Sequence, residues 1–465
     1  MTQDPNTAQA GNKRATATDV RLPLREKIGY GIGDFGFNLY WANISAFLLI
    51  FYTDVMGLAA GAVGTMMLVT RLVDAVTDPL MGAIADRTRT RWGRFRPYLL
   101  YAALPLAITG VLTWTVPDLD GGGRLLWAYA TFTLMMLAYT MLAMPYSALS
   151  GVMTADSQQR TTLISFRFIA AFAGTTLVNW LTLDLVRWLG RGDEHLGWQL
   201  TMGLYGIVAI ATFVAVFAST RERIEPPPRQ HSAVRQDLLD LLHNKPWLVL
   251  FVLALVIMVT IVMRSGSLVY YLKYYVDRPE LTGLFLGSYS VALAIGAALT
   301  PLLTRLVDKR RLMMGLMAGV GTLSCAMYFV PTEQIWVMFA FNTLAGLLLG
   351  PKSPLAFSMY ADCADYTEWK TARRATAMTF AAAAFAQKLG GAVAAAAIAW
   401  MLAGMGYVAN QAQSDASRLG IVLLLTVIPG VVALLAVWVM RAYPLDDAAL
   451  ALIQAELHAR REVAA

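Results

Sequence analysis

Twelve apolar segments set the frame for this chain, near residues 31–53, 58–84, 97–116, 125–149, 163–189, 198–219, 247–276, 281–304, 312–331, 335–360, 375–403 and 419–441. A helix needs about 20 apolar residues to cross the hydrocarbon core of a bilayer, and each segment reaches that length. Inside lipid a helix satisfies its own backbone hydrogen bonds, so segments of this kind are expected to be helical. The stretch "TRERIEPPPRQHSAVRQDLLDLLHNKP", residues 220–246, divides them six and six. Its prolines and charges mark a linker outside the bilayer, with a short amphipathic part carrying Leu238, Leu241 and Leu242. The expectation is an all-α integral membrane protein of twelve transmembrane helices. It would have a tail over 1–28, a six-helix bundle over 29–219, the linker, a second bundle over 247–441 and a tail over 442–465.

Composition removes several function classes. With 57% hydrophobic and 14% charged residues and a mean hydropathy of +0.55, the chain is too apolar for a soluble two-domain protein. The net charge of +7 does not point to nucleic acid, because the arginines sit at the ends of apolar segments. Loop 85–96 carries Arg87, Arg89, Arg91, Arg94 and Arg96, and loop 305–311 carries Arg305, Lys309, Arg310 and Arg311. The loop between the third and fourth segments has Arg124 alone. Such asymmetry places the basic loops and both termini in the cytoplasm of a multi-pass inner-membrane protein. The first 28 residues lack the apolar core and cleavage site of a secretory signal. Cys325 and Cys363 offer no disulfide or metal framework. No nucleophile–base pair or phosphate loop is present; "GIGDFG" has too few properly spaced glycines to bind a nucleotide.

Within this apolar background, "RLVDAVTDPLMG" (71–82) places Asp74 and Asp78 on one face of a helix, since residues four apart are neighbours there. A carboxylate at bilayer depth costs on the order of 2.5–3.5 kcal/mol on insertion scales, so something must offset it. Two readings are open: a site for a small monovalent cation or a proton, or an ion-pair scaffold with Arg71 or Lys388. Lys388 is a lone cation in "AFAAAAFAQKLGGAVAAAA", whose small residues let helices approach closely. A weak internal repeat pairs "AIADRTR" with "RLVDKRR" and "RTTLISF" with "RATAMTF", the pattern of two parallel six-helix halves in one large transporter class.

"GAIADRTRTRWGR" (82–94) resembles the signature after the second helix of the major facilitator superfamily. "GYGIGDFGFNLYW" (29–41), "FYTDVMGL" (51–58), "RLVDAVTDPLMG", "GRFRPYLL" (93–100) and "ADCADYTEWKT" (361–371) resemble, in order, the motifs of its glycoside-pentoside-hexuronide:cation symporters. That resemblance implies two pseudo-symmetric bundles and cation-coupled sugar symport by alternating access. Sodium or a proton would bind at Asp74 and Asp78, with no organic cofactor and no other metal. It implies a substrate site formed by Asn38, Trp41, Tyr139, Arg167 and Lys388, and cytoplasmic gating by Asp86, Arg160, Asp362, Asp365 and Glu368. For Arg89 and Arg91 simple topology determination is the better reading.

The chain departs from the melibiose-carrying member of that family. Two sugar-binding aspartates are matched by Asn38 and Ala143, a stacking tryptophan by Ser147 and a cation-site threonine by Ala384, while the tyrosine is kept as Tyr139. With those acids gone, Arg167, Lys388, Arg264 and Lys352 outnumber Asp74 and Asp78. This excess favours a hexuronide or another acidic sugar, unless Arg264 and Lys352 lie near the membrane faces and snorkel. The expected partners are a small sugar and membrane lipid, with no nucleic acid and a monomeric state. An exporter or lipid permease of the same fold is the runner-up. A non-transporting sugar sensor and an enzyme built on the clustered acids of 361–369 are weaker alternatives.

Overall fold

The computed structural model describes residues 22–154, 157–223, 242–371, 376–446, 449–453 and 455–457. Among these the regular elements are helices. The N-terminal half holds α1 (Leu24–Gly31), α2 (Gly33–Ala46), α3 (Leu48–Ile50), α4 (Ala60–Arg87), α5 (Arg96–Tyr101), α6 (Ala103–Thr113), α7 (Gly121–Met153), α8 (Ser157–Gly190) and α9 (Glu194–Ser219). The C-terminal half holds α10 (Lys245–Tyr270), α11 (Thr282–Leu306), α12 (Lys309–Met327), α13 (Ile335–Leu349), α14 (Lys352–Thr371), α15 (Thr376–Gly404), α16 (Asp415–Leu425) and α17 (Val427–Arg441).

Each of the twelve expected segments falls on helix. Nine helices among the described residues are long and apolar enough to cross a bilayer, and a bent pair, Leu24–Ala46 with Leu48–Val55, adds a tenth. The other two segments are shorter for local reasons: the third is broken between α5 and α6, and the ninth, α12, spends its first turn on Lys309, Arg310 and Arg311. Helix starts are written in side chains that accept from otherwise orphaned backbone N–H groups. Asp120 does so for α7, Asp193 for α9, Asn244 for α10, Asp308 for α12 and Ser414 for α16.

Both expected tails are partly folded. Helix α1 starts at Leu24, and its Glu26 is buried against Arg223 at 2.8 Å, tying the start of the linker to the first bundle. Past residue 441 a helical stretch buries Leu450, Ile453 and Leu457, and Trp369 Nε1 donates to its Glu456 at 2.7 Å. Linker residues 224–241, with Leu238 and Leu241, lie outside the described residues.

The halves meet through α4 against α15, α8 against α11 and α2 against α10. Close approach of α4 and α15 depends on Gly64, where a Cβ would come within 2.6 Å of the Ala399 Cβ. The same offset of 220 residues relates two π-turns, Phe51–Val55 and Tyr271–Tyr275. Each is closed by backbone bonds of one pattern, Met56 N to Phe51 O and Leu58 N to Tyr52 O, against Val276 N to Tyr271 O and Arg278 N to Leu272 O. Each is followed by a residue with positive φ, Gly57 at 76° and Asp277 at 59°. Since α4 runs from just past the first turn to the basic loop at Arg87, the π-turns lie at the end opposite the basic loops.

The core is divided unevenly between the two ends. One continuous apolar cluster joins the N-terminal half to the parts of the C-terminal half near the π-turns, including Met263, Tyr270, Ile398 and Leu402. Nearer the basic loops the C-terminal half keeps a separate cluster around Trp247, Leu250, Met313 and Met359. The halves are therefore packed together at one end and have distinct cores at the other.

Candidate functional site

Helix α4 carries both predicted acids toward α15. Asp78 forms an ion pair with Lys388 across the two halves and accepts a hydrogen bond from Thr140 Oγ1 of α7 at 2.8 Å. One turn earlier, Asp74 Oδ2 accepts from Arg71 Nη1 at 3.1 Å, while its Oδ1 is buried without a hydrogen-bond partner among the described residues. Pro79, inside α4, has no N–H to give to the carbonyl of residue 75. The side chains become more accessible along the helix: Asp74 is 1% exposed, Asp78 18% and its partner Lys388 29%. The site is sealed toward the π-turns and wetter toward the basic end. Beside Arg71 and Trp41 a cavity of about 40 Å³ lies between the halves, room for a few waters and too little for a sugar.

A second charged centre sits where α1, α2, α7 and α8 converge. Arg167 is paired with Asp34, its Nη2 lying 3.2 Å from Asp34 Oδ1. Tyr146 donates to Asp34 Oδ2 at 2.9 Å, and its ring lies 4.7 Å beneath the guanidinium carbon. Asn38, one turn on, donates to the Asp34 carbonyl and accepts from Thr175 at 2.9 Å. Trp41 carries the Arg71 guanidinium over its ring at 4.7 Å and lies 6.5 Å from Tyr139. Asn38, Trp41, Tyr139, Arg167 and Lys388 are thus half-buried side chains between or beside the two acid centres.

Two expectations are corrected here. Arg264 does not join this group: it is buried in the C-terminal bundle, where Nη1 donates to Ser324 Oγ at 2.6 Å and Nη2 to Asn342 Oδ1 at 3.1 Å. Its neighbours at two positions either side, Val262 and Gly266, line the cavity between the halves, so Arg264 points the other way. The excess of positive charge also shrinks, because Arg264 lies elsewhere and Asp34 answers Arg167; Arg71, a further cation, is paired with Asp74. Of the four cations counted, Lys352 at the start of α14 alone has neither an ion pair nor a hydrogen bond among the described residues.

The gating residues divide similarly. Asp362 pairs with Lys309 at 2.7 Å inside the C-terminal half, and Asp365 and Glu368 follow it on α14. The side chains of Asp86 and Arg160 lie outside the described residues. A closure that sequence reasoning missed stands at the π-turn end. Asp54, 3% exposed, pairs with Lys273 at 2.8 Å and accepts from Tyr274 and, at 2.5 Å, from Tyr407. Asn410 Nδ2 donates to the Asp54 carbonyl at 2.6 Å, and Thr53 shares a hydrogen bond with Tyr270 at 2.8 Å. One N-terminal carboxylate is thus held by three residues of the C-terminal half, with Asn410 on its backbone carbonyl.

Residues 29–447 match the model of the MFS/sugar transport protein family. The chain belongs to that family. It is 39% identical over 423 residues to the inner membrane symporter YicJ of Escherichia coli K12, spanning 91% of this chain and 92% of that protein. It is 34% identical over 403 residues to the isoprimeverose transporter of Lactiplantibacillus pentosus, spanning 84% of this chain and 83% of that protein. Among solved structures, the D-xylose-proton symporter superposes with a TM-score of 0.62 at 15% identity, over 90% of this chain and 96% of that one, a likeness of fold.

Against this background the acids of α4 fit a small monovalent cation or a proton. The buried Asp74 oxygen lacks a partner, the carbonyl freed by Pro79 is oxygen as well, and hard cations prefer oxygen ligands. Ala384 contributes no hydroxyl, whereas Thr140 brings one directly to Asp78. Asp34, Thr140 and Lys273 were legible only as polar residues in apolar segments, and their partners come from helices distant in sequence.

Proposed function

We propose that this chain is a cation-coupled symporter that imports a sugar or glycoside across the inner membrane, its basic end facing the cytoplasm. The carrying observation is the Asp78–Lys388 ion pair, which joins the two halves at the acid pair of α4. A cation or proton arriving at Asp74 and Asp78 neutralises the carboxylate that Lys388 needs. The lysine is then released to donate to a substrate hydroxyl. Because cation occupancy changes both the bond between the halves and a donor in the cavity, it has different free energies in the two conformations, which is the content of coupling.

The substrate lies among Asn38, Trp41, Tyr139, Arg167 and Lys388. Ion pairs such as Asp34–Arg167 present donors and acceptors together, as a neutral polyol requires, while Trp41 and Tyr139 offer apolar ring faces. Lys352 favours a second reading, an acidic sugar, since an unpaired cation would bind its carboxylate by charge-assisted hydrogen bonds. The named relatives transport, and we read this chain likewise as non-catalytic, monomeric and free of organic cofactors. The bundles at 29–219 and 247–441 are its moving parts, and the acids after Asp362, with Asp86 and Arg160, its cytoplasmic gate.

Proteoliposomes given a panel of neutral glycosides and their uronide counterparts, under sodium or proton gradients, test this. One sugar should accumulate against its gradient only with the correct cation. Accumulation of none, with export of a lipid or solute instead, would reject the reading. If a uronide is preferred, Lys352→Gln should remove that preference.

A further inference from the structure

Arg264 lies apart from the acid pair of α4 and from Asp34, and four helices are built around it. It lies six residues before the end of α10, about 9 Å below that end, and meets Ser324 of α12, Asn342 of α13 and Tyr289 of α11. All four side chains are more than nine-tenths buried. Ser324 and Asn342 supply hydrogen bonds but no charge, and Asn342 is fixed in that orientation by donating its Nδ2 to the Phe285 carbonyl at 3.0 Å. Among the described residues no carboxylate pairs with Arg264.

A guanidinium cannot shed its proton as a buried lysine can. A buried charge without a counter-charge is strongly destabilising, and the ring of Tyr289, 5.9 Å from the guanidinium carbon, offers only a weak cation–π contact. Two further groups are left over: among the described residues, Arg264 Nε and the Tyr289 hydroxyl are buried and without hydrogen-bond partners. Both can donate. A lone positive charge with two spare donors around it calls for an acceptor carrying negative charge.

We propose that Arg264 and Tyr289 hold a small monovalent anion of the chloride type inside the C-terminal bundle. The anion would accept from Arg264 Nε and the Tyr289 hydroxyl, neutralise the guanidinium and lock α10 to α11, α12 and α13. Its role is structural, separate from the acid pair of α4 and from the sugar.

The full-length protein, purified in detergent, is melted in sodium chloride and in sodium gluconate at equal ionic strength, so that the cation is constant. Chloride should raise the wild-type Tm by about 2–5 °C, as a ligand that binds only the folded state does. Bromide should give an anomalous scattering peak beside Arg264 in crystals. Arg264→Gln should abolish the response. Tyr289→Phe, which keeps the ring and the packing, should raise the chloride concentration at half-effect about tenfold, and it decides the matter if Arg264→Gln does not fold. A wild-type Tm equal in the two salts, or a chloride response that Tyr289→Phe retains unchanged, would overturn the proposal.

Discussion

Asp34, Asp74 and Asp78 each hold a cationic side chain, so removing one member of a pair strands the other. Losing one partner of a buried pair costs about 3–5 kcal/mol, against little for an exposed arginine. Asp34→Ala should therefore lower the Tm and weaken sugar binding by more than Arg89→Ala, and Asp34→Ala/Arg167→Ala should recover part of the stability. Differential scanning fluorimetry with a binding titration checks both; a single mutant as stable as Arg89→Ala would mean that Arg167 does not rely on Asp34. Lys388→Gln should reduce the coupling ratio more than it reduces sugar exchange, since the amide can still donate to a hydroxyl. Equal losses in a flux assay would place the lysine in substrate binding alone. At this scale the sequence was readable wherever an acid interrupted an apolar segment, as at Asp74 and Asp78. Asp34 carries the same signal, but its motif, "GYGIGDFGFNLYW", points to the family without assigning that acid a role. Arg264 sits deep in an apolar segment of the sequence and is buried inside the protein; its direction depends on the helical phase relative to Val262 and Gly266.

Helices and turns were legible from periodicity and caps, whereas their breaks were not. The motif "FYTDVMGL" carries part of the family resemblance, and its counterpart 220 residues on, "YLKYYVDR", shares no residue identity with it and matches it only in the backbone pattern of a π-turn and a positive φ. The repeat survives in backbone geometry because the turn is defined by hydrogen bonds and not by side chains. Those turns supply Asp54 on one side and Lys273 and Tyr274 on the other. Tyr407→Phe, which deletes one donor to Asp54 and keeps the ring, should loosen the closure. A cysteine placed at Ser45, beside the central cavity, in a background with Cys325 and Cys363 replaced, should then label several-fold faster with an impermeant maleimide added from outside. An unchanged rate would mean that the other donors hold the closure alone.

For the whole molecule, the arrangement of the core matters more than any single contact. The segment count and the linker point to two halves, but nothing in a sequence states which end of a rocking structure is shut. Here the halves share an apolar core at the π-turn end and keep separate cores toward the basic loops. Alternating access requires the reverse state as well, in which the Asp54 network is broken and the basic ends meet. Opening the π-turn end would separate α4 from α15 and stretch the Asp78–Lys388 pair, which is why occupancy of the acid pair can select the conformation. The most direct test measures sugar and cation flux together in proteoliposomes, for the wild type and for Asp78→Asn. The account predicts that sugar addition drives sodium or protons inward in the wild type, and that Asp78→Asn loses both this flux and sugar accumulation while retaining sugar counterflow. Sugar accumulation with no accompanying cation, or full accumulation by Asp78→Asn, would contradict it.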